Sequence, residues 1–181
     1  MINFDSNIKL LNKFEANNDN IKNEPMFFNS SIEYAYVNGS DITKNFIDNL
    51  PSEFKNSKCV FDSRVHMLMP GWYPAIPAYH HDDVPRQNNI ATGKHFITAG
   101  QPNYENPSYK SEHILGLVNA EICPTEFIIG NIDLPIPDKD ELVYRKWHFI
   151  LEEMIKENKV STISTPDRQL VYFNCDTFIL A

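Results

Sequence analysis

CVFDSRVHMLMPGWYPAIPAYHHDDVPR, residues 59–86, opens as a strand and closes as a cluster of metal-capable side chains. Residues 60–69 are rich in β-branched and apolar side chains and stop at Pro70-Gly71, a turn signal. Strand periodicity puts Asp62, Arg64, His66 and Leu68 on one face, and Phe61, Ser63, Val65, Met67 and Met69 on the other. The first face is polar enough to line a site. Pro74 and Pro77 then force residues 72–79 into an extended or turning connection. It delivers the chain to Tyr79-His80-His81-Asp82-Asp83, the densest set of metal-capable groups in the sequence.

Upstream, residues 1–30 are polar and Asn-rich, with a weak helical pattern from Ile8 to Phe14, and are expected to be an arm or short helix packed on the domain. Residues 32–37 look like a short strand ended by Asn38-Gly39. Ser40-Asp41 can cap a helix that carries Ile42, Phe46 and Leu50 on one face and stops at Pro51. Downstream, residues 87–112 are loop-like, with one candidate strand at 95–99; a run of that length is either a binding loop or a variable excursion. Strands are expected over 113–122 and 125–130. A helix follows over 138–158, capped by Asp138, with Val143, Trp147, Ile150, Leu151 and Met154 as its buried stripe. His148 lies beside that stripe and reads as a packing residue. Two strands in 160–181, with a turn at 165–168, complete the order. The expected fold is a single domain over 1–181, mainly β with flanking helices (α+β). Its β core spans 59–181, with the helix 138–158 outside.

Composition narrows the function. A chain of 181 residues with 42% apolar content can bury a real core. The net charge of −8, without a basic run, gives no strong nucleic-acid signature. No apolar run reaches the roughly 18–20 residues that span a membrane, and the N-terminus does not read as a secretory signal. Cys59, Cys123 and Cys175 are odd in number and far apart, as expected of free thiols in a reducing, cytoplasmic setting. There is no G-x-S-x-G, P-loop, G-x-G-x-x-G or C-x-x-C pattern.

His80 and Asp82 are separated by one residue, so on an extended segment both side chains point the same way. An imidazole and a carboxylate converging on one point supply two ligands of a mononuclear metal site. A further histidine makes the facial triad of non-haem Fe(II) enzymes. His81 with Asp83 offers the same geometry on the opposite face, and only one pair can face the core. The plain alternative is a loop whose histidines and aspartates make ordinary hydrogen bonds. Zinc takes the same ligand types, so a zinc-dependent hydrolase is a third reading.

The run MLMPGWYPAIPAYHHDDVPR, residues 67–86, resembles the start of the catalytic core in Fe(II)/2-oxoglutarate-dependent oxygenase-like proteins of the phage and bacterial type. There, a Pro- and Trp-rich lead-in brings an aromatic-His-x-Asp dyad onto a core strand. Tyr79 occupies the aromatic position, which favours His80 and Asp82 as the metal ligands. Residues 170–177, LVYFNCDT, resemble the strand that leads to the family's distal histidine. The resemblance spans roughly 59–181 and implies a double-stranded β-helix, the cupin-like jelly roll. It also implies Fe(II) as cofactor, 2-oxoglutarate as co-substrate and hydroxylation of an unactivated C–H bond. Arg64 or Arg86 would be the candidate partner for the co-substrate carboxylate, although Asp62 is an equally good partner for Arg64 and a salt bridge to Asp83 is the plainer reading of Arg86. The sequence departs from the family after Asp176-Thr177. Phe178-Ile179-Leu180-Ala181 stands where the distal histidine and the basic residue after it belong. The expectation is therefore either a truncated or degenerate relative without catalysis, or a third ligand from elsewhere, with His66, His95 and His113 as candidates. A metal-free jelly-roll binding or interaction module, using its polar mouth near Asp62, Arg64 and His80, is the alternative.

Overall fold

The computed structural model describes residues 1–75, 77–82, 84, 110–136 and 143–180. The chain is α+β, with antiparallel sheets and a few helices. The first sheet holds β1 (Ile2–Ser6), β6 (Glu126–Leu134) and β7 (Ser161–Ser164) in the order β1-β6-β7, with β9 (Ile179–Leu180) also paired to β6. The second has the order β2-β8-β5, from β2 (Lys9–Lys13), β8 (Gln169–Asn174) and β5 (Glu112–Leu115). The third is the pair β3 (Phe27–Ser30) and β4 (Phe61–Ser63). Helices α1 (Ile32–Asn38), α2 (Asp41–Asp48) and α3 (Ser52–Lys55) lie between β3 and β4, and α4 (Val143–Lys156) between β6 and β7. Among the described residues no sheet closes into a barrel, and no helix is long and apolar enough to cross a membrane.

Side-chain alternation stacks these elements. On β6, Ile128, Ile132 and Leu134 pack with Ile2 and Phe4 of β1 and with Trp147 and Leu151 of α4. The opposite face of β6, through Phe127 and Ile129, meets Val171 and Phe173 of β8. The far face of β8 gives Leu170 to a third cluster with Ala35 of α1, Ile47 of α2, Phe27 and Phe61. The layers therefore run α4, first sheet, second sheet, then the α1–α2 layer with β3 and β4. The central strands β6 and β8 are covered on both faces, so they carry apolar residues in both phases.

Two crossings join the sheets, and they are bonded to each other. Residues 7–8 carry the chain from β1 to β2, and residues 175–178 carry it from β8 to β9. Thr177 Oγ1 donates to Asn7 O at 2.8 Å. Buried Ser6 Oγ donates to Ile128 O at 2.6 Å and accepts the Phe178 N–H at 3.1 Å. Ser6→Ala is expected to cost about 1–3 kcal/mol, because it leaves a buried backbone N–H without its acceptor. Urea denaturation checks this, and a loss under a few tenths would show that the crossing relaxes onto another partner.

Several elements differ from the sequence reading. The supposed polar arm supplies β1 and β2, which pair with the central strands β6 and β8 of the two main sheets. Its alternation is only five residues long, with Ile2, Phe4 and Ser6 buried, and the partner Leu134 lies far along the chain. Residues 32–38 are helix, not strand. Ser31 caps them by accepting the Tyr34 N–H at 3.1 Å, and this local cap outweighs the β-branched and aromatic content. Strand β4 ends at Ser63, well short of Met69. Among the described residues it pairs only with the four-residue β3, and the alternation beyond is not paired into a sheet, leaving Met67 91% exposed. Ser40 caps α2 as expected. Trp147, Ile150, Leu151 and Met154 face the core from α4 as expected, while residues 138–142 lie outside the described set.

Candidate metal centre

The Tyr79–Asp82 segment is an added edge of the first sheet. His80 forms an antiparallel bridge with Ile179 of β9. The His80 N–H donates to Ile179 O at 3.0 Å, and the Ile179 N–H donates to His80 O at 2.9 Å. Residues opposite each other in an antiparallel pair share a face. His80 therefore lies on the face of Ile179 and Phe127, which looks toward the second sheet. Tyr79 and His81 take the other face, toward α4.

His80 and Asp82 are brought together. His80 Nε2 stands 3.7 Å from Asp82 Oδ1, with the two side chains 14% and 41% exposed. His80 Nδ1 is 2.7 Å from Ala78 O. A carbonyl can only accept, so Nδ1 carries a proton, and in the neutral imidazole Nε2 keeps its lone pair, turned toward the carboxylate. Metal-binding histidines are oriented by this kind of outer hydrogen bond. Two donors each about 2.1 Å from one ion stand about 3.0 Å apart at a right angle and about 3.4 Å at a tetrahedral angle. The observed separation is one small side-chain rotation away. The pair thus fits two positions of a His/carboxylate metal site. Among the described residues no group of three such donors forms.

His81 takes the opposite face, under α4. Its ring lies 3.7 Å from the Phe178 ring and 4.8 Å from that of Phe4, with Trp147 at 6.0 Å. The residue keeps some exposure, but both ring nitrogens are shut off from solvent. Burial pushes its pKa down to about 3; the backbone of Cys175 and Thr177 pulls it partly back, and neighbouring His80 opposes protonation. Tyr79, 4% exposed, donates its hydroxyl to Glu126. Burial and that carboxylate hold the phenol well above its usual range. The Tyr79 N–H donates to His148 Nδ1 at 3.2 Å.

The other sequence candidates are not gathered here. Arg64 is exposed and follows β4, whose Phe61 packs in the α1–α2 layer beyond the second sheet. Its expected partner Asp62 accepts the Asn29 N–H instead. Arg86, Asp83 and His95 lie outside the described residues. His66 is exposed and lines a groove of about 500 Å³ with Asp19, Lys22 and Asn119. His113 stacks on Phe173 with centroids 5.0 Å apart, its Nε2 3.3 Å from Ser111 Oγ. Sequence reading missed Glu126 and the part played by His148. They are 47 and 69 residues from Tyr79, and no local spacing marks such contacts. No family model, curated protein or solved structure matches this chain.

Proposed function

We propose that the chain binds a divalent metal ion through His80 and Asp82, on a scaffold of the Fe(II)/2-oxoglutarate-dependent oxygenase-like kind. The observation that carries this reading is the placement of the His80 ring: Nδ1 lies 2.7 Å from Ala78 O, and Nε2 faces Asp82 Oδ1 at 3.7 Å. The β9 bridge supports it by fixing the backbone that presents both groups. Two antiparallel sheets packed face to face, with the pair on the side between them, support an open, jelly-roll-like scaffold. Three free cysteines support a reducing, cytoplasmic setting. Bound Fe(II) would supply redox chemistry for oxygen activation, with His80 and Asp82 holding and orienting it. Arg64 follows β4, away from the pair, and Arg86 lies outside the described residues, so no step is assigned to 2-oxoglutarate.

Anaerobic Fe(II) titration, with and without 2-oxoglutarate, tests this. Fe(II) is expected to bind, and His80→Ala is expected to weaken it more than about 100-fold, beyond what outer-shell partners cost. A visible charge-transfer band that needs both Fe(II) and 2-oxoglutarate would extend the reading to the oxygenase reaction. Equal affinity in wild type and His80→Ala would remove it.

The second reading is a metal-free binding or interaction module. The missing third donor among the described residues favours it. Under that reading, replacing both His80 and Asp82 leaves metal content unchanged.

A further inference from the structure

In an antiparallel bridge, alternate residues bond to the partner strand, and the residues between them point their N–H and C=O away. His80 bonds to Ile179. The Tyr79 N–H therefore points off the sheet edge, where an unpaired donor invites water or another chain. The imidazole of His148, on α4, covers it: Nδ1 accepts that N–H at 3.2 Å, and the two rings lie 5.6 Å apart. Nδ1 accepts, so the ring proton of the neutral imidazole is on Nε2, which faces Glu152 Oε1 at 3.7 Å. The helix that carries His148 is fixed by its neighbours Trp147 and Leu151 in the core, and by Trp147 Nε1 donating to Pro135 O at 3.1 Å. Tyr79 is thus held at its amide by α4 and at its hydroxyl by Glu126 of β6.

We propose that His148 is a positioning residue: its neutral imidazole closes the outer edge at Tyr79 and so keeps His80 and Asp82 seated on β9. The part that concerns the metal rests on the function proposed above, whereas the edge closure does not.

The test compares wild type, His148→Asn and His148→Leu. Asparagine offers Oδ1 near the place of Nδ1, whereas leucine fills the space without an acceptor. In the metal-free protein, amide hydrogen exchange by NMR at Tyr79, His80 and Ile179 is expected to be about tenfold faster in His148→Leu, the loss of roughly one hydrogen bond. His148→Asn is expected to restore most of that protection, and the amides of β1 and β6 are expected to keep theirs. Zn(II) affinity, read in the same three proteins, is expected to fall about 10-fold in His148→Leu and to recover in His148→Asn. Wild-type exchange at those three amides in His148→Leu would overturn the proposal. So would uniform acceleration across the first sheet, or nitrogen shifts placing the His148 proton on Nδ1 in wild type. If wild type binds no Zn(II), the metal part falls, and the exchange data still decide the edge closure.

Discussion

Phe178→Ala is expected to lower the unfolding free energy by about 3–5 kcal/mol, the range for emptying an aromatic site in a packed core. Phe178 is fully buried. Its ring contacts that of His81 at 3.7 Å, Phe4 at 5.3 Å and Trp147 at 6.1 Å. Its backbone also ties the crossing to the first sheet: the carbonyl accepts the Ile128 N–H of β6 at 3.0 Å, and the N–H donates to Ser6 of β1. Collapse into the cavity would have to move β1, β6 and the Tyr79–Asp82 edge together, so the cost belongs at the upper end of the range. Urea denaturation followed by tryptophan fluorescence reads it directly, since Trp147 borders the cavity. A loss under about 1 kcal/mol would mean that the crossing at residues 175–178 is not packed as described. His80 lies one bridge away, so the metal binding proposed for it is expected to weaken in the same variant.

Acid is expected to destabilise the metal-free chain through His81. The unfolded chain takes up a proton at this residue near the ordinary value of 6.5, while the folded chain resists it down to about 3. Between those values the unfolded state holds the extra proton. The stabilising contribution is complete above 6.5 and is lost progressively as the pH falls through the window. One group titrating in only one state gives a slope of at most about 1.4 kcal/mol per pH unit. The comparison to make is wild type against His81→Phe, which keeps an aromatic ring among Phe4, Phe178 and Trp147 without a titrating nitrogen. Denaturation in chelator at pH 7, 6 and 5 is expected to show wild type losing stability faster than the variant. Parallel curves would show that the ring reaches water or a proton acceptor in the folded state.

The His80–Asp82 pair was legible in the sequence as far as its own backbone dictates. One intervening residue puts His80 and Asp82 on the same side of an extended chain, and the structure has them 3.7 Å apart. The same rule applies equally to His81 and Asp83, so it cannot tell which phase faces which layer. That choice is made by the bridge to Ile179, nearly a hundred residues downstream. With His80 opposite Ile179, His81 must enter the apolar layer under α4. The roles of Glu126 and His148 were invisible for a similar reason: a tyrosine hydroxyl and an edge N–H find their acceptors only once β6 and α4 are in place.

By itself the sequence determined the elements whose signals are local. These are the Ser40 cap of α2, the apolar stripe of α4 on Trp147 and Leu151, the turn before β8 and the alternating side chains around the dyad. Caps, helical periodicity and strand alternation act within a few residues, so they are written in consecutive letters. Only the tertiary structure decided that β1 and β2 are sheet strands, that β4 stops at Ser63 and that the His81 ring packs on Phe178 while His80 faces the second sheet. Each of those outcomes depends on which distant strand satisfies the backbone hydrogen bonds and covers the apolar face.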